Sequence, residues 1–67
     1  MSVAKVTEIT STSDKSFEDA ITSGIRRATK TLKNVKGAWI KGQKVDIENG
    51  KIVRFRVDMK VTFVLED

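Results

Sequence analysis

From Val53 to Phe63 the apolar and polar positions alternate without interruption, and Leu65 keeps the same parity. Val53, Phe55, Val57, Met59, Val61, Phe63 and Leu65 are apolar, and Arg54, Arg56, Asp58, Lys60 and Thr62 between them are polar. A period of two held this long predicts a strand over residues 52–65 with one buried and one hydrophilic face. Upstream, Ala38 and Ile40 are apolar at even positions, and Val45 and Ile47 at odd ones. A strand over residues 38–48 carries that change of parity only through a bulge or bend, and Gly42 is the residue that permits one. Asn49-Gly50 joins the two strands, because a two-residue type I′ turn needs positive φ at both central positions. Glu48 and Lys51 flank it.

Before these strands the period changes. Phe17, Ala20, Ile21, Gly24, Ile25, Ala28 and Leu32 recur at i, i+3, i+4 and i+7, which predicts an amphipathic helix over residues 17–33. Ser16 is placed to cap it, and Asp19 three residues on makes a weak form of the capping box. Asp14, Glu18 and Asp19 lie at the positive end of the helix dipole, and Arg26, Arg27, Lys30 and Lys33 at its negative end. Residues 3–11, rich in Val, Thr and Ile, read as a first strand. Residues 11–15 read as a polar connection and residues 34–37 as a loop.

The order is β-α-β-β, an α+β chain. A crossover helix sets the first two strands in the same direction, and the hairpin sets the third against the second. Placing the third strand between the others gives a three-stranded antiparallel sheet in the order 1-3-2, partly wrapped around the one helix. At a rise of about 3.3 Å per residue the third strand would run about 45 Å. A compact chain of this size has a radius of gyration of about 11 Å. The strand therefore bends sharply or pairs outside its own subunit.

Length sharpens that point. Sixty-seven residues make one domain, residues 1–67, and a domain so small buries only about 60% of its unfolded surface. Small chains add disulfides, a metal or oligomerisation. With no Cys and no His, a disulfide framework, the usual zinc sites and Cys- or His-based nucleophilic catalysis are excluded. Oligomerisation is left. No 18-residue apolar run and no apolar leader is present, so the expected setting is the cytoplasm and no membrane is crossed. No nucleophile–base pair or phosphate loop can be assembled, which argues against an enzyme.

Val3-Ala4-Lys5-Val6, Glu8-Ile9, Thr12-Ser13, Ser16-Phe17-Glu18-Asp19-Ala20, Thr31-Leu32-Lys33-Asn34-Val35, Gly50-Lys51-Ile52, Phe55-Arg56-Val57 and Met59-Lys60-Val61-Thr62-Phe63, taken in order and at this total length, resemble the dodecin family. The resemblance covers the whole chain without a gap. It implies a hollow homododecamer of cubic symmetry, with helices outside and a sheet shared between neighbours. It also implies binding of flavin, riboflavin or FMN, in pairs near two-fold axes. There a Trp at the start of strand two stacks on the isoalloxazine and a Gln on strand three bonds its polar edge. The implied role is storage rather than turnover, with quenching of the photoexcited flavin by the indole.

The chain departs from this pattern at both positions. The family's Trp falls on Gly37 and its Gln on Arg56, and the only Trp, Trp39, comes two residues later. A step of two keeps the face of a strand but moves the side chain about 7 Å along it. Some dodecin relatives also lack the stacking Trp, and the chain resembles those.

Each candidate has two readings. Trp39 is a platform for a planar ligand or a packing residue between subunits. Arg56 is a donor fork for a ligand carbonyl, phosphate or carboxylate, or an ion-paired surface residue. Gln43 offers an amide to a ligand edge or is an ordinary strand residue. Asp46, Glu48, Asn49 and Asp58 are oxygen donors for a hard cation such as Ca or Mg, brought together by symmetry, or solvated charges without EF-hand spacing. Lys30, Lys33, Lys36, Lys41 and Lys44, with a net charge of +4, invite a nucleic-acid reading, which lacks a recognition helix or stacking motif. The reading that follows is a flavin-sequestering dodecamer. Its alternatives are an ion-binding or structural assembly of the same fold and, last, a basic nucleic-acid binder.

Overall fold

The computed structural model describes residues 3–65, so the domain expected over residues 1–67 includes two positions at each end outside the described part. The elements are β1 (Ala4–Ser13), α1 (Phe17–Ala28), β2 (Val35–Glu48) and β3 (Lys51–Val64). The sheet order is β1-β3-β2, antiparallel throughout, as the pattern predicts.

β3 is central because it is the strand with an unbroken apolar face. Val57, Met59 and Val61 are fully buried with Ala20 of α1. Ile9, Phe17, Ile21, Ile25, Leu32, Val35 and Ile40 pack around them. Phe17 meets Phe55 edge to face at 5.1 Å. α1 lies tight against the sheet at Gly24, where an added Cβ would lie 2.8 Å from both Met59 Cε and Ser11 Cβ. The odd residues of β3 thus face the helix. The even ones form a second face that no helix covers.

The hairpin matches its signal. Asn49 and Gly50 have φ of 52° and 75°, and Glu48 pairs with Lys51. The change of parity in β2 is a bulge between Ile40 and Gly42, with Lys41 as the extra residue. Two further irregularities lie between Val35 and Gly37 and between Asp46 and Ile47. The last corrects the expectation for Ile47, which shares parity with Val45. It pairs instead with Ile52, on the helix-free face, and both are more than half exposed.

The element bounds differ in three places. β1 runs on to Ser13 because Ser11 and Ser13 pair with Val57 and Phe55, so the polar connection shortens. Its turn is organised by Ser13, whose hydroxyl donates to Asp19 Oδ2 at 2.6 Å and accepts from the amides of Lys15 and Ser16. Asp19 is therefore held by Ser13 rather than reaching back to the cap, while Ser16 Oγ accepts from the Asp19 amide as expected. α1 stops at Ala28, not residue 33. Beyond it, i→i−3 bonds tighten the chain (Lys30 to Arg27, Thr31 to Ala28, each 3.2 Å). The Thr29 hydroxyl donates to the Arg26 carbonyl at 2.9 Å, a local bond that competes with helix continuation. The apolar stripe nevertheless reaches Leu32, which packs on the core. Finally, Asn34 at φ 61° turns the chain directly into β2, so most of the predicted loop is strand.

The molecule measures 52 × 19 × 13 Å, with a radius of gyration of 13.9 Å against about 11 Å for a compact chain of this length. A helix of 12 residues is only about 18 Å long. The strand does not fold back, and α1 covers the part of β1 and β3 near the core. The far half of the hairpin extends past it.

Candidate functional site

The helix-free face can be read in rows from the two strand registers. Val6, Thr62 and Gly37 form one row; Glu8, Lys60 and Trp39 the next; then Thr10, Asp58 and Gly42; then Thr12, Arg56 and Lys44. Arg54 with Asp46, and Ile52 with Ile47, finish the hairpin. Trp39 and Gly37 therefore share a face, as a step of two requires. Arg56 is on the same face, four residues along β3 from the partner of Trp39, about 13 Å away. Gln43 is separated from them: it pairs with Val57, whose side chain points to the helix.

Trp39 is 62% exposed. Lys41 Nζ sits 3.7 Å from the centroid of its ring, and Lys60 Nζ 5.8 Å. Both ammonium groups are within the range where a ring quadrupole attracts a cation. Beside this cluster Gly37 leaves open space, with no atom within 4 Å of where a Cβ would stand.

Farther along the face the charges are paired, with two arginines sharing one carboxylate. One oxygen of Asp46 accepts from Arg56 Nη2 at 2.9 Å and Arg54 Nη1 at 3.0 Å. The hydrogen bond from Arg56 is the main cause that holds the Asp46 carboxyl below its ordinary value. Partial burial opposes it and Arg54 assists. Asp58 accepts from Thr10 Oγ1 at 2.9 Å and faces Lys44 Nζ at 3.7 Å. Glu48 is exposed at the hairpin. Among the described residues no three acidic side chains converge on a metal position within one chain.

Sequence reasoning singled out Trp39, Gly37 and Arg56 but missed the pairing of Asp46 with Arg56 and of Trp39 with Lys41 and Lys60. Counting outward from Asn49-Gly50 would have put Asp46 opposite Val53. The irregularity near Ile47 moves it opposite Arg54, and no sequence signal marks that shift. A separate groove of about 470 Å³ lies on the helix side, between β1 and α1, lined by Thr7, Ile9, Ser11, Gly24, Arg27 and Leu32 among others. None of the candidate residues opens into it.

The dodecin family model matches residues 3–66. Among solved structures, the dodecin from Streptomyces davaonensis is 33% identical, with 98% of this chain and 97% of that one covered and a TM-score of 0.94. A single-residue variant of the Thermus thermophilus dodecin is 30% identical, with both chains covered completely and a TM-score of 0.94. A calcium dodecin from Mycobacterium tuberculosis, described as having a novel calcium-binding site, is 29% identical over 96% of this chain and 91% of that one, with a TM-score of 0.83. No curated protein matches.

Proposed function

The chain belongs to the dodecin family, and from that premise we propose that it is a cytoplasmic binding and storage protein, not an enzyme. It assembles as a homododecamer and sequesters a planar ligand of the flavin type, riboflavin or FMN, at two-fold subunit contacts. Its β-α-β-β fold is the dodecin fold. The observation that carries the ligand reading is Trp39: an indole left more than half exposed on the helix-free face, beside the gap at Gly37. A buried-core role would have hidden that ring, and an exposed π face is what a planar ligand needs. Assembly is supported by the 52 Å length of a body that one short helix cannot cover, and by the exposed apolar side chains of Val3, Val6, Ile47, Ile52 and Leu65.

The site is built for holding, not for turnover. Trp39 stacks, Gly37 leaves room for the ring system, and the charged rows set its polar end. Arg56 stands where the family's Gln would bond the isoalloxazine, but its guanidinium is engaged by Asp46. The ligand's polar edge therefore meets a guanidinium held by a shared carboxylate, in a cluster of net charge +1, instead of an amide.

Titration of the purified protein with riboflavin and FMN tests this reading. Trp39 emission and flavin emission should both fall, with saturation at micromolar ligand. Flat curves would overturn the flavin role. Light scattering tests the assembly, with a mass near twelve times 7.5 kDa expected and a 7.5 kDa species overturning it. A second reading takes support from the calcium dodecin relative: an assembly in which symmetry gathers copies of Asp58 or Glu48 around Ca or Mg. Asp46 is less suited, since two guanidinium groups hold its carboxylate. Calorimetric titration with Ca that gave heat where flavin gave none would favour this alternative.

A further inference from the structure

The groove between β1 and α1 and the tip of the hairpin are apolar features that one chain leaves uncovered. The groove holds about 470 Å³, with Ile9, Gly24, Ala28 and Leu32 in its lining and Arg27 beside them. Arg27 is exposed and makes no ion pair among the described residues. The tip carries Ile47 and Ile52, paired across the ladder and 62% and 54% exposed. Next to them Glu48 is exposed, and it too makes no ion pair among the described residues. The tip cannot reach the groove of its own chain. Ser11 in the groove stands opposite Val57, and Ile52 lies five residues away from Val57 along β3, about 17 Å of continuous strand.

We propose that the hairpin tip of one copy of the chain seats in the β1–α1 groove of another, with Ile47 and Ile52 against the apolar lining and Glu48 paired with Arg27. This rests on the assembly proposed above and adds which surfaces meet in it. The tip belongs to the part of the 52 Å body that extends past the helix, so it projects toward a neighbour rather than lying on its own core. Two aliphatic side chains in water and an aliphatic hollow in water are each unfavourable, and one contact removes both. Gly24 and Ala28 put no long side chain into the hollow, which leaves room for the isoleucine pair. Charge selects the same partner. Asp46 is held by Arg54 and Arg56, and Lys51 has the sign of Arg27, so Glu48 is the tip's complement to that guanidinium. Each copy has one tip and one groove, and the contact repeats from chain to chain until the assembly closes.

The chain has no Cys, so two introduced thiols report the contact. In Ser23→Cys combined with Ile52→Cys, one thiol lines the groove and the other marks the tip. Within one chain they are too far apart for a disulfide, which needs Cα atoms within about 7 Å. Mild oxidation of the assembled protein in dilute solution should give covalently linked chains on a denaturing gel, with the mass by light scattering unchanged. Separately, Arg27→Glu and Glu48→Arg should each raise the concentration at which the assembly dissociates by about fivefold, and the double reversal should recover most of that loss. Unlinked chains in an assembly of full mass would overturn the docking and leave the assembly standing. So would a double reversal no better than the single ones, or a small amphiphile found in the groove by native mass spectrometry. A native species of 7.5 kDa would overturn the assembly and the docking with it.

Discussion

Asp46 of β2 holds Arg56 of β3 across the ladder, Oδ2 to Nη2 at 2.9 Å, although the two residues are not direct register partners. Arg56 stands opposite Lys44, and Asp46 opposite Arg54. The diagonal contact exists because the irregularity between Asp46 and Ile47 brings the carboxylate to where one oxygen can serve both guanidiniums.

That arrangement predicts an acid limb in stability. The folded-state pKa of Asp46 is lowered from an ordinary value of 3.8, chiefly by its bond from Arg56. An unfolded chain therefore binds this proton first as pH falls. The contribution is complete above the ordinary value and is lost as pH drops through the lowered one. In Asp46→Asn the melting temperature should lose part of its fall between about pH 5 and pH 2. The check is a set of melting curves across that range. An unchanged acid limb would mean the pair is screened by solvent.

Trp39→Ala separates the two readings of the indole. If the ring is the ligand platform, quenching of flavin emission disappears and the assembly keeps its mass. If the ring packs between subunits, light scattering shows a smaller species before any ligand is added.

Gly37→Trp tests the gap beside it. Nothing within 4 Å obstructs a side chain there, and φ is not in the left-handed region, so the variant should fold. It puts an indole where the family resemblance expects one. The new indole fills the room that the ring system takes when it stacks on Trp39, so flavin affinity should fall while the assembly keeps its mass. Unchanged affinity in an intact assembly would show that the ligand lies elsewhere.

Gly24→Ala addresses the core. Alanine favours the helix by about 0.5–1 kcal/mol over glycine, but its Cβ would press on Met59 Cε and Ser11 Cβ, each at 2.8 Å. The Met59 methyl can swing aside, whereas Ser11 Cβ is fixed to the β1 backbone. Overpacking of this kind costs about 1–3 kcal/mol, so the urea midpoint should fall at fixed protein concentration. A higher midpoint would mean that α1 shifts at little cost.

Ile47→Lys combined with Ile52→Lys places two charges on the exposed pair at the hairpin tip. Neither side chain is in the core of its own chain, so the far-ultraviolet spectrum at high concentration should be retained. The mass by light scattering should fall. Full retention of the native mass would remove the hairpin from the subunit contacts.

Much of the fold was legible because its signals are local. The period of two in β3, the stripe of α1, the turn at Asn49-Gly50 and the parity change near Gly42 each depend on neighbours in sequence. What was not legible depends on pairing across strands. Leu32 prolonged the helical period, yet the backbone had already left the helix at Ala28. Ile47 looked like a companion of Val45 and belongs to the other face. The site suffered the same limit: Trp39 and Gly37 could be placed together by parity, and counting outward from the turn sets Lys60 opposite Trp39, but the capture of Arg56 by Asp46 follows from the irregularity near Ile47, which no sequence signal marks.

The 52 Å length of the body has a further consequence for how this protein is measured. In the proposed dodecamer, surface covered by other copies of the chain enters the folding equilibrium as a mass-action term, so stability should depend on protein concentration. Dilution then acts as a mild denaturant. A substitution at the hairpin tip read at nanomolar concentration would pass for a folding defect, and at high concentration for a silent change.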